Sequence, residues 1–336
     1  MKKATIVDIA EALGVTPSTV SRALSGSSKI KESTRKAVQQ KAREMGYVRN
    51  EVASGFRKGV TNTVGIIVPR INREFFSGII SRAESVLLES GYSAIICQSY
   101  EKEEDEIRAL ETLISSRVAG IMISHSAATE SGDAILEALQ GGKIKLVQFD
   151  RVFDCLPGSK VVNDDFHGAY SAVKHLLDNG CRKIGALVGY SSCRSFVDRQ
   201  KGYEAALQEA GIPVDNSIVF PETIVRETGY ANTARAIDAG CDAIYSSGDF
   251  SALGALQCAL DRGIRVPEEF AIIGTANESF TGLITPALSS VDQHSAEIGR
   301  QAAHAMLRLL SGETAGETIV VGTDLVPRIS SLRNQK

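Results

Sequence analysis

The sequence predicts an α/β protein with a three-helix helix-turn-helix head at its N-terminus and a core of two lobes built on parallel sheets. Three observations predict it. Residues 1–46 read as short amphipathic helices punctuated by caps and a glycine turn. From Thr63 onward, short apolar runs alternate with helical segments. Charge divides the chain at the same place: residues 1–60 hold 12 Lys/Arg against 5 Asp/Glu, and residues 61–336 hold 25 against 35, although the net charge is only −3. A basic head on an acidic body suggests a polyanion-binding module joined to something else. Charge alone leaves a solvated basic surface equally open, because it supplies attraction without sequence reading.

In the head, Ile6, Ile9, Ala10 and Leu13 fall on one helical face. Thr5 and Asp8 make a capping-box-like start, and Gly14 supplies a tight turn. Thr16 caps a second helix that Pro17 opens, with Val20 and Leu24 inside and Ser18 and Arg22 sharing the outer face. A third helix is predicted from about Glu32 to Met45, with Val38, Ala42 and Met45 facing in and Gly46 as its stop. Two short helices joined by a glycine turn, the second one polar, suit the major groove of DNA. Arg22 can donate two hydrogen bonds to guanine, and Lys2, Lys3, Lys29, Lys31 and Arg35 are candidate phosphate contacts. A small three-helix bundle with no DNA role is the alternative.

Residues 47–58 read YVRNEVASGFRK. Asn50 can cap a short helix from about Glu51 to Lys58, but Gly55 and the scarcity of apolar side chains leave that helix unstable alone. Phe56, flanked by Arg57 and Lys58, suits a wedge in a minor groove, where inserted apolar groups unstack bases and kink the duplex. The other reading is an ordinary linker whose Phe56 packs on a neighbouring domain.

In the core, strands are predicted at 64–68, 93–97, 120–124, 145–149, 161–163, 183–188, 243–247 and 270–274. Helices are predicted over about 75–89, through Ile107, Leu110 and Ile114, and over about 166–177, 197–210 and 251–262. This alternation implies right-handed βαβ units and parallel sheets. So many units exceed one open sheet, so two lobes follow, whose strand carboxyl ends can face each other across a ligand cleft. No dinucleotide fingerprint, nucleophile elbow or H-E-x-x-H pairing occurs, and Gly142-Lys143 lacks a phosphate-loop partner because position 137 is Glu137. Nothing demands catalysis. Six scattered cysteines without C-x-x-C spacing suggest neither zinc nor disulfides, so no metal and no cofactor is expected. No apolar run reaches membrane-spanning length, and Asp8 and Glu11 interrupt any secretory signal, so a cytoplasmic protein is expected.

Together these residues resemble the lac-repressor (LacI/GalR) family of bacterial transcription regulators. The resemblance covers nearly the whole chain and is most specific in TIVDIAEALGVTPSTVSRALSG, through MGY at 45–47. It implies a helix-turn-helix DNA-binding domain (1–47), a hinge helix and linker (48–60), and a periplasmic-binding-protein-like core (61–336). The core's lobes would be about 61–162 with 293–324, and 163–292. The implied function is a regulator, expected to repress, that binds a palindromic double-stranded DNA operator as a homodimer and responds to a small-molecule effector (a sugar, sugar acid or sugar phosphate). The implied DNA contacts are Thr5, Thr16, Pro17, Ser18, Ser21, Arg22, Lys29 and Lys31 in the head, with Tyr47, Asn50, Ala53, Phe56 and Arg57 in the hinge. The hinge departs from the family pattern Y-x-P-N-x-x-A-R-x-L: Arg49 replaces Pro, Ser54 replaces Arg, and Phe56 replaces Leu.

The effector contacts implied by the resemblance are Asn72, Phe75 and Phe76 at the cleft mouth, Asp150, Asp164 at a lobe crossover, Arg199, Asp249 and Asn277. The fork of donors on Arg199 suits hydroxyls or a carboxylate. In IIGTANES (272–279) the family's usual Asp is Ala276, so either Asn277 substitutes or the ligand is itself acidic. The eight residues after Arg328 carry no leucine heptads, which favours a dimer over a tail-zippered tetramer. The rivals are a transport-type sugar-binding protein and a sugar-processing enzyme carrying a regulatory head.

Overall fold

The computed structural model describes residues 4–24, 27, 29–47, 61–139, 144–314 and 316–333, and the chain divides into two units, Met1–Thr61 and Asn62–Lys336. Lys2, Lys3 and the hinge residues Asn50, Ala53, Phe56 and Arg57 lie outside the described residues.

Helix α1 (Ile6–Leu13) begins on a complete capping box: the Asp8 amide donates to Thr5 Oγ1 at 3.3 Å, and the Thr5 amide donates to Asp8 Oδ2 at 2.7 Å. Gly14 ends it at φ +61°, a left-handed conformation that glycine adopts without strain. Helix α2 (Pro17–Leu24) starts where Thr16 Oγ1 accepts the Thr19 amide at 3.2 Å. With α3 (Glu32–Glu44), they bury Ile9, Ala10, Val20, Ala23, Val38 and Ala42 in one small core. The expected inner residues Leu24 and Met45 flank that core, partly buried.

Strands and helices of the second unit are numbered along the chain. One sheet has the order β11-β5-β4-β3-β1-β2, all parallel: β1 (Thr63–Val68), β2 (Ser93–Gln98), β3 (Gly120–Ile123), β4 (Lys145–Phe149), β5 (Ser159–Asn163) and β11 (Thr318–Val321). Helices α4 (Glu74–Glu89) and α11 (Ser295–Ser311) cover one face. Helices α5 (Glu103–Ser115) and α6 (Asp133–Ala138) cover the other. The second sheet has the order β12-β10-β9-β8-β6-β7: β6 (Ile184–Leu187), β7 (Val219–Phe220), β8 (Ala243–Ser246), β9 (Ala271–Thr275), β10 (Ser289–Asp292) and β12 (Asp324–Val326), the last antiparallel to β10. Helices α7 (Asp165–Asp178) and α8 (Arg194–Glu209) pack on one face, α9 (Arg226–Asp238) and α10 (Asp249–Asp261) on the other. Strands buried on both faces explain the near-continuous apolar runs in the sequence.

The chain passes between the lobes after β5, after β10 and after β11. These connections are knitted together. Asn163 Nδ2 donates to the Gln293 carbonyl at 2.8 Å, Gln293 Nε2 donates to Asn163 Oδ1 at 3.2 Å, and Thr323 Oγ1 donates to the Asp164 carbonyl at 3.4 Å. Three adjacent crossings bonded to each other form a hinge that the lobes share.

Candidate effector cleft and DNA-reading helix

On the head, the outer face of α2 is polar and solvated: Pro17, Ser18 and Arg22 are exposed and Ser21 is half-buried. Thr16, itself exposed, bonds Ser18 and Thr19 through its hydroxyl, which fixes the entrance to the helix. Thr5, Lys29 and Lys31 are exposed around this helix pair, and Tyr47 packs partly against the core. A short capped helix with Ser and Arg on its open face can meet base edges, and the surrounding lysines can meet phosphates.

On the core, strand carboxyl ends from both sheets converge on one cleft of about 780 Å³, counting its open mouth. One lobe contributes Arg70 and Arg73 after β1, Phe75 and Phe76 from the first turn of α4, Glu101 after β2, and Asp150 and Arg151 after β4. The other contributes Ser195, Phe196 and Arg199 from α8, Ser247 to Phe250 after β8, and Thr275, Ala276 and Glu278 after β9. The walls are therefore aromatic with convergent polar groups, the composition a polar organic ligand needs.

Hydrogen bonds fix those groups. Arg199 Nε donates to Asp165 Oδ1 at 2.8 Å, and its Nη1 donates to the Ser247 carbonyl at 2.7 Å. Arg151 Nη1 donates to Glu101 Oε2 at 2.7 Å, and its guanidinium lies 5.5 Å from the Phe196 ring. Asp249 accepts from Ser290 Oγ at 2.7 Å and from the Glu278 amide at 2.8 Å. The lobes also clasp each other directly at the cleft edge. Glu278 Oε2 accepts the Glu74 amide at 3.1 Å and thereby caps α4 in the opposite lobe, while Glu74 Oε2 accepts the Ser279 amide at 2.6 Å.

Burial reshapes the charge. It pushes the Asp249 carboxyl up to about 7, against the Ser290 and Glu278 donors, and the Asp165 carboxyl up to about 6, against Arg199. Asp150 rises for the same reason, opposed by Arg151 and Arg199. Near neutrality Asp249 therefore carries only part of a negative charge. Beneath Arg151, the buried Glu106 accepts from the Ser126 amide at 2.7 Å and from Thr129 Oγ1 at 2.9 Å, and pairs with His125 at 2.5 Å. Burial works against its charge, but these partners hold its pKa below the usual range.

Of the effector contacts expected from the sequence, the structure brings Phe75, Phe76, Asp150, Arg199 and Asp249 together in the cleft. Three others lie elsewhere. Asn72 is exposed on the turn before α4 and does not line the cleft. Asp164 caps α7, accepting the His167 amide at 3.1 Å, and faces a separate recess. Asn277 turns its amide to Asp292 at 3.0 Å and to Arg328 at 2.6 Å, so it does not replace the missing carboxylate. Glu278 brings a carboxylate back, one residue further on, because Ala276 and Asn277 both take positive φ (118° and 51°) and swing the loop. Sequence reasoning also missed Arg70, Arg73, Glu101, Arg151, Phe196 and Phe250. The signal that could have found most of them is position: they follow the strand ends, where ligands bind in such sheets.

Both units resemble known proteins. Residues 5–50 match the family described as bacterial regulatory proteins, lacI family, and residues 173–331 match a periplasmic binding protein-like domain. The regulator DegA of Bacillus subtilis is 30% identical over 331 residues, covering 98% of both chains. Among solved structures, a CelR–cellobiose complex matches 97% of this chain and 99% of its own at 26% identity and a TM-score of 0.75. The lac repressor dimer bound to operator matches 98% of this chain and 100% of its own at a TM-score of 0.86; at 23% identity it shows the shared fold.

Proposed function

The chain belongs to the lacI family of bacterial regulatory proteins, and from that premise we propose that it is a repressor that binds a palindromic operator as a homodimer in the cytoplasm and responds to a sugar or sugar acid. The observation that carries the reading is a cleft walled by both lobes, in the same chain as a capped, polar DNA-reading helix. A ligand touching both walls favours the closed arrangement, and it can shift DNA affinity only through that difference between states. No helix among the described residues is long and apolar enough to cross a membrane. Exposed apolar side chains on adjoining elements support a dimer: Leu88 on α4 and Ile95 and Ile96 on the edge strand β2 are 60%, 40% and 47% exposed. In this reading the two hinges of the dimer lie together on the operator, with Phe56 entering the minor groove.

Selection of duplexes from a random pool by the full chain tests this. The reading expects an enriched palindrome. It also expects Arg22→Ala to bind that palindrome about 5- to 150-fold more weakly, in line with about 1–3 kcal/mol for a bidentate guanine contact, and Phe56→Ala to bend it less. Enrichment of no sequence, or of a single half-site with no repeat, would contradict it.

A further inference from the structure

Four arginines and four carboxyls (Glu101, Asp150, Asp249 and Glu278) line the cleft, but they are not paired one to one. Glu101 is taken by Arg151 at 2.7 Å, and Arg199 is taken by Asp165 at 2.8 Å. Glu278 is committed to the Glu74 amide at the start of α4, and Asp249 to Ser290 and the Glu278 amide. Asp150 lies 3.9 Å from Arg151, and two guanidiniums remain without a close ionic contact. Arg70 and Arg73, both on the loop after β1, make no side-chain hydrogen bond or ion pair to any described residue. Arg73 sits 3.5 Å over the ring of Phe250, which belongs to the opposite lobe. A ring against one face of a guanidinium leaves its in-plane N–H fork available, the geometry that pairs with a carboxylate or phosphate. Burial weakens the hold of Arg73 on its proton, and Glu278, too distant for an ion pair, only partly offsets this. A partly desolvated cation without a carboxylate partner is costly until an anion arrives.

A second observation is independent of these arginines. Ser247 is 2% exposed, lines the same cleft, and its Oγ has no hydrogen-bond partner among the described residues. It lies just before α10, whose N-terminus has no side-chain cap; α8, whose first turn also lines the cleft, has none either. Uncapped helix N-termini favour negative charge through their free amides and aligned dipoles.

We infer that the effector carries an anionic group, a carboxylate or a phosphate, and that Arg70 and Arg73 hold it. The inference rests on the small-molecule reading above and narrows it to acidic ligands. A neutral polyol would satisfy Ser247 but leave Arg70 and Arg73 without an ionic partner. The inference owes nothing to Ala276, because Glu278 already returns a carboxylate to that wall.

The test is thermal unfolding of the full chain at fixed ionic strength. The probes are inorganic phosphate, acetate, and aldohexoses of gluco, galacto and manno configuration, each as neutral sugar, uronate and 6-phosphate. The parent should be stabilised by an anionic member of at least one series more than by its neutral counterpart. Arg73→Gln should weaken that binding about tenfold or more, as expected for a charge-assisted pair, Arg73→Lys should recover part of it, and the ligand-free melting point of each variant reports on folding. Uronate and acetate against phosphate esters and phosphate separates the two sources of charge. If only neutral sugars stabilise the chain, the anionic class is overturned and small-molecule sensing stands. If an anionic probe stabilises the parent and Arg70→Gln/Arg73→Gln equally, the assignment to these arginines is overturned; if no probe stabilises the parent, both the anion site and the sugar-type reading are overturned.

Discussion

Asp249 shows how much a single position decides. It opens α10 at the floor of the cleft, fully engaged by Ser290 and the Glu278 amide, and burial raises its carboxyl from 3.8 to about 7. The sign of the consequence follows by linkage: the folded chain holds this proton where the unfolded chain has released it. The stability it contributes is therefore complete below about pH 4 and is lost as pH rises toward 7. Asp249→Asn removes the titration. Urea unfolding across pH 4 to 8 should show the variant gaining on the parent by about 1.4 kcal/mol for each pH unit climbed between those two values, with the gain level above pH 7; a difference independent of pH would contradict the assignment. Residues such as Phe75, Phe76, Arg199 and Asp249 were legible because they match a family pattern. Arg70, Arg73 and Glu278 were not, because pairing decides their meaning. Only the fold shows that Arg151 and Arg199 have carboxylates while Arg70 and Arg73 have none among the described residues, and that positive φ at Ala276 and Asn277 turns Asn277 away and Glu278 in.

At the scale of elements, the clasp between α4 and the loop after β9 matters most. Each partner accepts a backbone amide of the other lobe through a glutamate, Glu278 for α4 and Glu74 for Ser279. Glu278→Ala leaves the α4 terminus without its cap and should lower stability of the full chain by about 1–2 kcal/mol, with a larger radius of gyration in solution scattering as the cleft relaxes. Unchanged melting and scattering would mean that the clasp does not hold the lobes. The head helices and central strands were legible because caps, glycine stops and double-sided burial mark them locally. Helix α9 was not, since its buried positions are Gly229, Thr233 and Ala236 and carry no apolar stripe. Its signal is steric: Gly229 and Gly254 let α9 and α10 approach until backbone meets backbone, so a Cβ at either would clash with the other helix.

At the scale of the molecule, one chain joins a DNA-reading head to a cleft that two lobes share, and coupling between them is what a regulator requires. Reciprocity fixes the form of the test: if ligand changes operator affinity, operator changes ligand affinity by the same factor. The measurement that decides the account is titration of the full chain onto its selected palindrome, with and without the ligand that most stabilises the protein. The account predicts operator dissociation constants that differ by about 5- to 150-fold, the usual range of allosteric coupling, and that converge in Arg73→Gln at the same ligand concentration. Equal dissociation constants with the parent's cleft saturated would contradict it.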